Sequence, residues 1–359
     1  MLSGLENVIA AETSLSDVDG QAGRLIIRGR SLDELAAGSR YEDVVALLWK
    51  ELFAECPDAA GIARGIGLAR ARVSAHLRIC DEQLLDLSAV DIVRSLLTRI
   101  ADGEDLSSAL ELLAAPAVFT PAIVRMKRGL APVAADPSCS HAADMLRMLQ
   151  GETPRPEQVQ ALDRYLVIAC DHGLNASTFA ARVIASTHAG LGSAVIGALC
   201  ALKGPLHGGA PGPVLEMLDS IGRPERARAC LEQALAQGER LMGFGHRVYR
   251  VRDPRADAIR GALEILTRSG HIDRERLRLA EAVEAAALEL LARHKPERPL
   301  QTNVEFYTAL LLEALGFPRD AFTCVFASSR TAGWIAHARE QVIEGRLIRP
   351  QSRYVGPRP

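Results

Sequence analysis

"RERLRLAEAVEAAALELLARHK" (residues 274–295) places its apolar side chains three and four residues apart, with Glu and Arg between them. This spacing puts the apolar residues on one side of a helix and predicts an amphipathic helix packed on a protein core. The same spacing runs through 31–52 and 156–173, whereas only "GRLIIRG" (23–29) is typical of a strand. The sequence therefore predicts an all-α protein built by helix-on-helix packing.

Length and composition narrow the class of protein. A chain of 359 residues is long for one compact core, so two domains are expected. With 48% hydrophobic residues, 24% charged residues and a net charge of -2, we expect a soluble protein that binds neither nucleic acid nor membrane. Seven scattered cysteines without a CxxC motif indicate a reducing, cytoplasmic compartment. The N-terminus lacks the apolar segment of a secretory signal, and the apolar run 189–202 is too short for a membrane span.

Glycine and proline divide the chain into segments. Because such clusters mark turns, the stretch 210–316 is expected to form a small domain inserted into a large domain of residues 1–209 and 317–359. A cleft between two lobes suits an enzyme, although a fold alone does not define a function. The clusters lie at 116–137, 151–156, 204–213, 222–224 and 296–299.

His207 stands in a glycine-rich loop, "KGPLHGGAPGP" (203–213), directly after a predicted buried helix. Glycines allow close approach of a ligand and leave the imidazole sterically free. A plain turn between helices with an incidental histidine is an equally good interpretation. The loop lacks the Gly-Lys-Ser/Thr ending of a phosphate-binding loop.

A second loop, "MGFGHRVYRVRDPRADAIRG" (242–261), combines Gly243, Gly245 and His246 with several arginines. Asp253 followed by Pro254 is typical of a helix start, which puts Arg255 in the first turn. A cation there opposes the helix dipole, so we expect an anionic ligand nearby. The alternative is a salt bridge from Arg255 to Asp253 or Asp257.

Other candidates lie at the ends of predicted helices. In "TNVEFYTALLLEALG" (302–316), Asn303 is a predicted helix cap, and Glu305 is either a dipole-complementing acid or a base. His172 ends one predicted helix, and Asn175 or Ser177 caps the next. "FASSRTAGWIAHAREQ" (326–341) predicts a helix with Arg330 in its first turn, and the tail 345–359 carries four arginines. That tail is either a solvated basic segment or an arm that reaches an anionic site.

Several site classes are excluded by spacing. The nine histidines show no HExxH or Cys/His ligand pattern, so no metal site is predicted. The GxSxG motif of a serine nucleophile and the GxGxxG motif of a dinucleotide site are also missing.

Together the motifs "GPLHGGA", "GFGHRVY", "DPRA" and "NVEFY", in this order, resemble the citrate synthase family. The resemblance runs from "SDVDGQAGRLIIRG" to "RPQSRYVG", and the length is similar to that of the shorter dimeric bacterial and archaeal type. It implies an all-α fold with a large domain and an inserted small domain, closing over substrate in a homodimer. The implied enzyme is an acyltransferase that condenses acetyl-CoA with oxaloacetate and water to give citrate and CoA. Neither a metal nor a redox cofactor is implied, since the CoA thioester is a substrate.

The resemblance also implies residue roles. His207, His246 and Glu305 match the catalytic residues, with His207 on the thioester carbonyl and His246 on the ketone of oxaloacetate. The implied oxaloacetate residues are His172, Arg255, Arg330 and Arg349, the last entering the site of the partner subunit. The implied CoA residues are Gly243, Phe244, Gly245, Arg250 and Arg252. These roles agree with elementary chemistry, since a weakly acidic thioester methyl needs both a base and a donor aimed at its oxygen.

The sequence departs from the family pattern at two places, and three alternative functions remain open. The family usually has Asp where this chain has Glu305, and many members have Gly-Gly-Ala-Asn-Glu where this chain has "GGAPGPV". The longer acid extends the side chain by roughly 1.3 Å. The alternatives are a methylcitrate synthase that uses propionyl-CoA, a weakly catalytic paralogue that binds CoA or dicarboxylate, and a helical structural scaffold.

Overall fold

The computed structural model describes residues 4–5, 8–79, 82–208, 211–246, 248–249, 251–270, 272–297 and 300–358. Within these ranges the chain forms fifteen α-helices, which confirms the all-α prediction. The first eight are α1 Leu32–Gly38, α2 Tyr41–Trp49, α3 Ala59–Val73, α4 Ala89–Leu97, α5 Leu106–Lys127, α6 His141–Gln150, α7 Pro156–Ala169 and α8 Ala176–Ala185. The others are α9 Leu191–Leu202, α10 Pro211–Ile221, α11 Ala227–Ala236, α12 Pro254–Arg268, α13 Arg274–His294, α14 Val304–Ala314 and α15 Phe322–Glu344. Short 3₁₀ helices cover Ser74–Ile79, Glu82–Asp86, Pro224–Arg226 and Arg319–Ala321.

A small antiparallel sheet precedes the helices. Its strands are β1 Ser16–Asp19, β2 Arg24–Ile27 and β3 Arg30–Ser31, in the order β1-β2-β3. Strand β2 confirms the strand predicted within 23–29. The sequence analysis missed β1, because "SDVD" offers a single apolar residue and is held in the sheet by pairing, from Ser16 opposite Ile27 to Asp19 opposite Arg24. We refer to residues 16–27 as the β1–β2 hairpin.

Helix α15 forms the centre of the core. Most of its residues are buried, including Trp334, and it packs against α2, α5, α7, α8 and α9. Helices α10 to α14 pack mainly on one another, and α12 also contacts α7. The division into residues 1–209 with 317–359 and residues 210–316 stays a prediction.

Several predicted element boundaries were wrong. The segment 31–52 forms two helices, α1 and α2, because Ser39 and Arg40 are extended. Helix α7 ends at Ala169, so His172 lies beyond its end rather than in its last turn. Arg330 lies in the middle of α15, not in a first turn, because the residues from Phe322 to Val325, most of them buried, extend the helix at its start.

Helix α5 corrects another expectation. Pro116 and Pro121 lie inside it, so the predicted break at 116 is absent. Thr120 Oγ1 donates to the carbonyl oxygen of Pro116 at 2.6 Å. Within the described residues, α5 is the one helix long and apolar enough to cross a membrane. This is weak evidence for a span, because a buried core helix passes the same test and 83% of its most apolar window is buried.

Candidate active site

His207 lies in the turn that follows α9. The His207 amide donates to the Gly204 carbonyl at 3.0 Å, and the Gly208 amide donates to the Leu202 carbonyl at 2.8 Å. A Cβ on Gly208 would lie 2.6 Å from the Leu202 carbonyl oxygen, so this tight turn requires a glycine. The predicted loop around His207 is therefore present up to Gly208, while Gly209 and Ala210 lie outside the described residues.

Ser177 fixes the proton on the His207 ring. The Nε2 of His207 lies 2.8 Å from Ser177 Oγ and 3.4 Å from the Ser177 backbone nitrogen, whose N–H can only donate. The Ser177 hydroxyl has a second acceptor, Asn175 Oδ1, at 2.8 Å, so the assignment rests on the backbone N–H. On that contact we assign Nε2 as an acceptor, which leaves the proton of the neutral ring on Nδ1. Trp334 Nε1 donates to Ser177 Oγ at 3.1 Å and holds the hydroxyl in place. Burial, with the charge of Arg330, lowers the pKa of His207 to about 4, so the ring is neutral at pH 7.

His246 is held by its own loop. Gly243 and Gly245 adopt left-handed conformations, with φ of 85° and 83°. The Nδ1 of His246 accepts the backbone N–H groups of Val248 and Tyr249, each at 3.0 Å. These two bonds are shorter than the 3.4 Å contact of Nε2 with the donor Arg255 Nη2, so we assign the proton of the neutral ring to Nε2. Burial and the charge of Arg255 lower the pKa of His246 to about 4.

The His246 loop is joined to the start of α14. The Gly245 amide donates to the Gln301 carbonyl at 2.7 Å, and the Asn303 amide donates to the Gly243 carbonyl at 3.0 Å. Asn303 Nδ2 also donates to the Gly245 carbonyl at 2.9 Å. These bonds hold His246 and the first turn of α14 in one fixed arrangement.

Glu305 occupies that first turn. Asn303 caps α14 as predicted, its Oδ1 accepting the Glu305 amide at 3.2 Å. The Oε2 of Glu305 is buried and has no hydrogen-bond partner among the described residues. Burial raises the pKa of Glu305, although the Arg255 guanidinium partly opposes the shift. Glu305 lines a small cleft together with Tyr165, Ala169, Arg255, Val304, Thr308 and Phe326.

One buried guanidinium group, that of Arg255, lines this cleft, and a second, that of Arg330, contacts two of the lining residues. Arg255 makes a bidentate pair with Asp253, with Nε–Oδ1 at 3.0 Å and Nη2–Oδ2 at 2.8 Å, so the salt-bridge alternative is present in the structure. Arg330 donates from Nε to the Ala169 carbonyl at 2.7 Å and lies 4.8 Å from the centroid of the Phe326 ring. Within the described residues Arg330 has no salt bridge, and burial lowers its pKa to about 10. An anionic ligand would complete the environment of this guanidinium.

His172 joins the same cluster. Its ring meets that of His246 edge-on, with centroids 5.5 Å apart, and its Nε2 lies 3.1 Å from the Tyr249 hydroxyl. Burial, with the charges of Arg255 and Arg330, holds the pKa of His172 well below its usual value. The cluster therefore offers neutral histidines to a ligand and concentrates positive charge on its arginines.

Two predicted residues lie outside the cluster or are otherwise engaged, and a third is not among the described residues. Arg252 is paired with Asp257 at 2.6 Å and with Glu284 at 2.7 Å. Arg349 is exposed in the segment after α15, and this chain alone does not bring it to the cleft. Arg250 lies outside the described residues. Among the described residues, no three His, Cys, Asp or Glu side chains are grouped as a metal site requires.

The sequence analysis missed the site roles of Tyr249, Ser177 and Trp334. Tyr249 lies three residues after His246 in the quoted motif, and its aromatic ring was the available signal. Ser177 was considered only as a helix cap, and Trp334 had no local signal, because it reaches Ser177 across 157 residues of sequence.

The arrangement suits chemistry at a carbon next to a carbonyl group. An unpaired buried carboxylate is a base, and the N–H groups assigned to His207 Nδ1 and His246 Nε2 are donors for developing negative charge on oxygen. Arg255 and Arg330 are suited to carboxylate groups of a ligand.

Comparison with known proteins identifies similar chains. The family profile described as "Citrate synthase, C-terminal domain" matches residues 4–351. The chain is 38% identical over 365 residues to "Putative citrate synthase 2" of Mycobacterium tuberculosis, covering 99% of this chain and 93% of that one. It is 36% identical over 369 residues to "2-methylcitrate synthase" of the same species, covering 98% and 90%.

A solved structure shows the same fold. It is the ternary complex of citrate synthase from the thermophilic archaeon Thermoplasma acidophilum with carboxymethyl coenzyme A and oxaloacetate. The TM-score is 0.86 at 28% sequence identity, and the alignment covers 99% of this chain and 96% of that one.

Proposed function

The chain belongs to the citrate synthase family, and we propose that it condenses acetyl-CoA with oxaloacetate and water to give citrate and CoA. It is an acyltransferase, and the family's substrates are acetyl-CoA and oxaloacetate. The observation that carries the proposal is the buried Oε2 of Glu305, which has no hydrogen-bond partner among the described residues and lies in a cleft that also holds Arg255.

Glu305 acts as the base in the first step. Its carboxylate removes a proton from the methyl group of the thioester, and the His207 Nδ1–H donates to the thioester oxygen as the enolate forms. A neutral His207 suits this task, because its pKa of about 4 leaves one N–H on the ring at pH 7. Burial of Glu305 raises its proton affinity, which favours proton abstraction.

His246 assists the second step. The enolate carbon bonds to the ketone carbon of oxaloacetate, and the His246 Nε2–H donates a hydrogen bond to the developing alkoxide. That oxygen takes up a proton from solvent, and Glu305 returns to solvent the proton that it removed, so both side chains end the cycle unchanged. Water then cleaves the thioester of the condensed product, giving citrate and the free thiol of CoA. His172 contributes a further polar contact to oxaloacetate from its position beside His246.

Arginines orient the dicarboxylate. Arg330 supports this role because it is buried without a salt bridge in the described chain, and Arg255 lines the cleft with Glu305. We propose that the chain acts as a homodimer in the cytoplasm, with Arg349 entering the site of the partner subunit. The six described cysteines are all free, which supports a reducing compartment. Gly243, Phe244 and Gly245 are proposed to line the CoA site, with Arg250 and Arg252 near its phosphates.

A second candidate reaction uses propionyl-CoA and gives 2-methylcitrate. The 36% identity to a 2-methylcitrate synthase favours it. Glu305 is one methylene longer than the Asp usual in the family, so it leaves less room beside the acyl methyl group. One methylene is worth about 1–3 kcal/mol in a pocket. On this basis we favour acetyl-CoA.

Release of free thiol from acetyl-CoA and propionyl-CoA in the presence of oxaloacetate tests the proposal. We expect kcat/KM to be at least about 10-fold higher for acetyl-CoA. Glu305→Asp, which restores space, is expected to shift the ratio toward propionyl-CoA. A higher kcat/KM for propionyl-CoA in the wild-type protein supports the 2-methylcitrate reaction. Oxaloacetate binding without thiol release from either substrate contradicts both reactions and supports a non-catalytic binding protein.

A further inference from the structure

The β1–β2 hairpin contacts the chain segments of two site histidines. At its start, Ser16 Oγ donates to Asp171 Oδ2 and accepts the Gly173 amide at 3.1 Å. Asp171 and Gly173 are the two neighbours of His172 in sequence. A Cβ on Gly173 would also lie 3.1 Å from Val18 Cγ2, so β1 packs closely on this segment. The hairpin thus holds the backbone on both sides of His172.

The turn of the hairpin contacts the other histidine loop. A Cβ on Gly20 would lie 2.3 Å from the Val248 carbonyl oxygen and 2.7 Å from the Val248 carbonyl carbon. A Cβ on Gly23 would lie 2.7 Å from Val251 Cγ2. The amide of Val248 is one of the two that donate to His246 Nδ1, so the turn packs against backbone that orients the His246 ring.

The turn has its own internal support. Asp19 Oδ1 accepts the amides of Gln21 at 3.0 Å and Ala22 at 2.8 Å, and Arg24 pairs with Asp19 Oδ2 at 3.2 Å. These bonds fix the shape of the turn independently of the helices. Because the turn has a fixed shape, the hairpin holds the chain segments at the two ends of β1 at a fixed distance from each other.

We propose that the β1–β2 hairpin is a positioning element that sets the spacing of His172 and His246, through Ser16 at one end and Gly20 at the other. The two rings lie 5.5 Å apart, and a spacing of this kind determines whether both reach one oxaloacetate molecule. The inference rests on the proposed function and assigns a role in it to residues that do not themselves touch substrate.

The close contact at Gly20 gives the expected size of the rate loss when a Cβ is added at this position. An ordinary contact of a Cβ begins at 3.4 Å, whereas an added Cβ would lie 2.3 Å from the Val248 oxygen. The Val248 backbone would have to move by roughly 1 Å, and a misplacement of about 1 Å costs on the order of 100-fold in rate. Displacement of the Val248 amide would move the His246 ring that it orients, so the main effect should fall on oxaloacetate, with a smaller effect on acetyl-CoA because Val248 lies among the residues proposed for the CoA site.

The test compares Gly20→Ala with Gly38→Ala. Gly38, the last residue of α1, has open space around its Cβ position and no left-handed φ, so it is a matched control. We expect Gly20→Ala to lower kcat/KM for oxaloacetate on the order of 100-fold, with a much smaller change in KM for acetyl-CoA at saturating oxaloacetate. Gly38→Ala should keep wild-type values. Wild-type kinetics in Gly20→Ala, or an equal loss in both variants, overturns the proposal.

A second pair of variants decides the question if Gly20→Ala does not fold. Ser16→Ala removes the hydroxyl, and Ser16→Thr keeps it. We expect Ser16→Ala to raise KM for oxaloacetate about 10-fold, a loss equivalent to about 1.4 kcal/mol, and Ser16→Thr to recover most of it. Equal KM values for oxaloacetate in the two variants contradict the proposed role of the Ser16 hydroxyl in positioning the His172 segment. A wild-type protein that releases no thiol contradicts the proposed function instead, and the same variants then test the hairpin through the dissociation constant of oxaloacetate.

Discussion

Replacement of Glu305 by Gln removes the proposed base while conserving the shape of the side chain. The substitution removes one negative charge from a cleft that holds Arg255. General base catalysis contributes about 10²–10⁴-fold to a rate, so kcat should fall by that factor. The dianion oxaloacetate should bind as well as before or more tightly, because a carboxylate that repels it is gone. The combination of a large fall in kcat with undiminished binding is specific to a base.

Two assays check this prediction. Thiol release from acetyl-CoA gives kcat, and calorimetric titration gives the dissociation constant of oxaloacetate. The thermal unfolding midpoint serves as the folding control, since Glu305 Oε2 has no partner that Gln would lose in the described chain. A variant that keeps more than about a tenth of the wild-type kcat would refute Glu305 as the base. A variant with weakened oxaloacetate binding would show that Glu305 serves mainly in ligand positioning.

Three further predictions concern charge. Arg330→Met should raise KM for oxaloacetate on the order of 100-fold, from the loss of charged hydrogen bonds. The unfolding midpoint should change little, because removal of a buried charge without a salt bridge in the described chain offsets the lost hydrogen bond to the Ala169 carbonyl; unchanged KM contradicts its binding role. Arg349→Ala should raise KM for oxaloacetate about 10-fold or more with no change in stability, as the side chain is exposed in this chain; an unchanged KM removes the shared-site arm. Lowering the pH from 6.5 to 4 should destabilise the wild-type protein more than His246→Asn, because His246 has a pKa of about 4 when folded and about 6.5 when unfolded. Between pH 6.5 and pH 4 only the unfolded chain binds that proton. The free energy of unfolding, measured with denaturant at pH 7 and pH 5, should therefore fall more in the wild-type protein than in His246→Asn; equal falls in the two proteins contradict the assigned pKa.

Local signals predicted much of the fold. Helical periodicity predicted α13 to within one residue at its C-terminal end, and Asp253-Pro254 predicted the start of α12. The break between α1 and α2 was not predicted, because the apolar spacing continues through Ser39 and Arg40 while the backbone there is extended. Arg330 was placed in the wrong turn because the start of α15 has no capping side chain to mark it.

The candidate site was also predicted only in part, because some of its features depend on contacts between distant parts of the chain. Motifs singled out the histidines, Glu305 and the arginines, because their chemistry is visible in single residues. The proton positions on His207 and His246 were not predictable, since they depend on Ser177 and on backbone amides of a folded loop. The contact of Gly20 with Val248 joins distant parts of the chain and has no sequence signature.

Mass spectrometry of the product formed from trideuterated acetyl-CoA and oxaloacetate tests the central claim most directly. If Glu305 removes one methyl proton and the resulting enolate attacks the ketone, the product is citrate that retains two of the three deuterium atoms, in equal amount to the free CoA. Thiol release with acetate as the product, or citrate formed at an unchanged rate by Glu305→Gln, would contradict it.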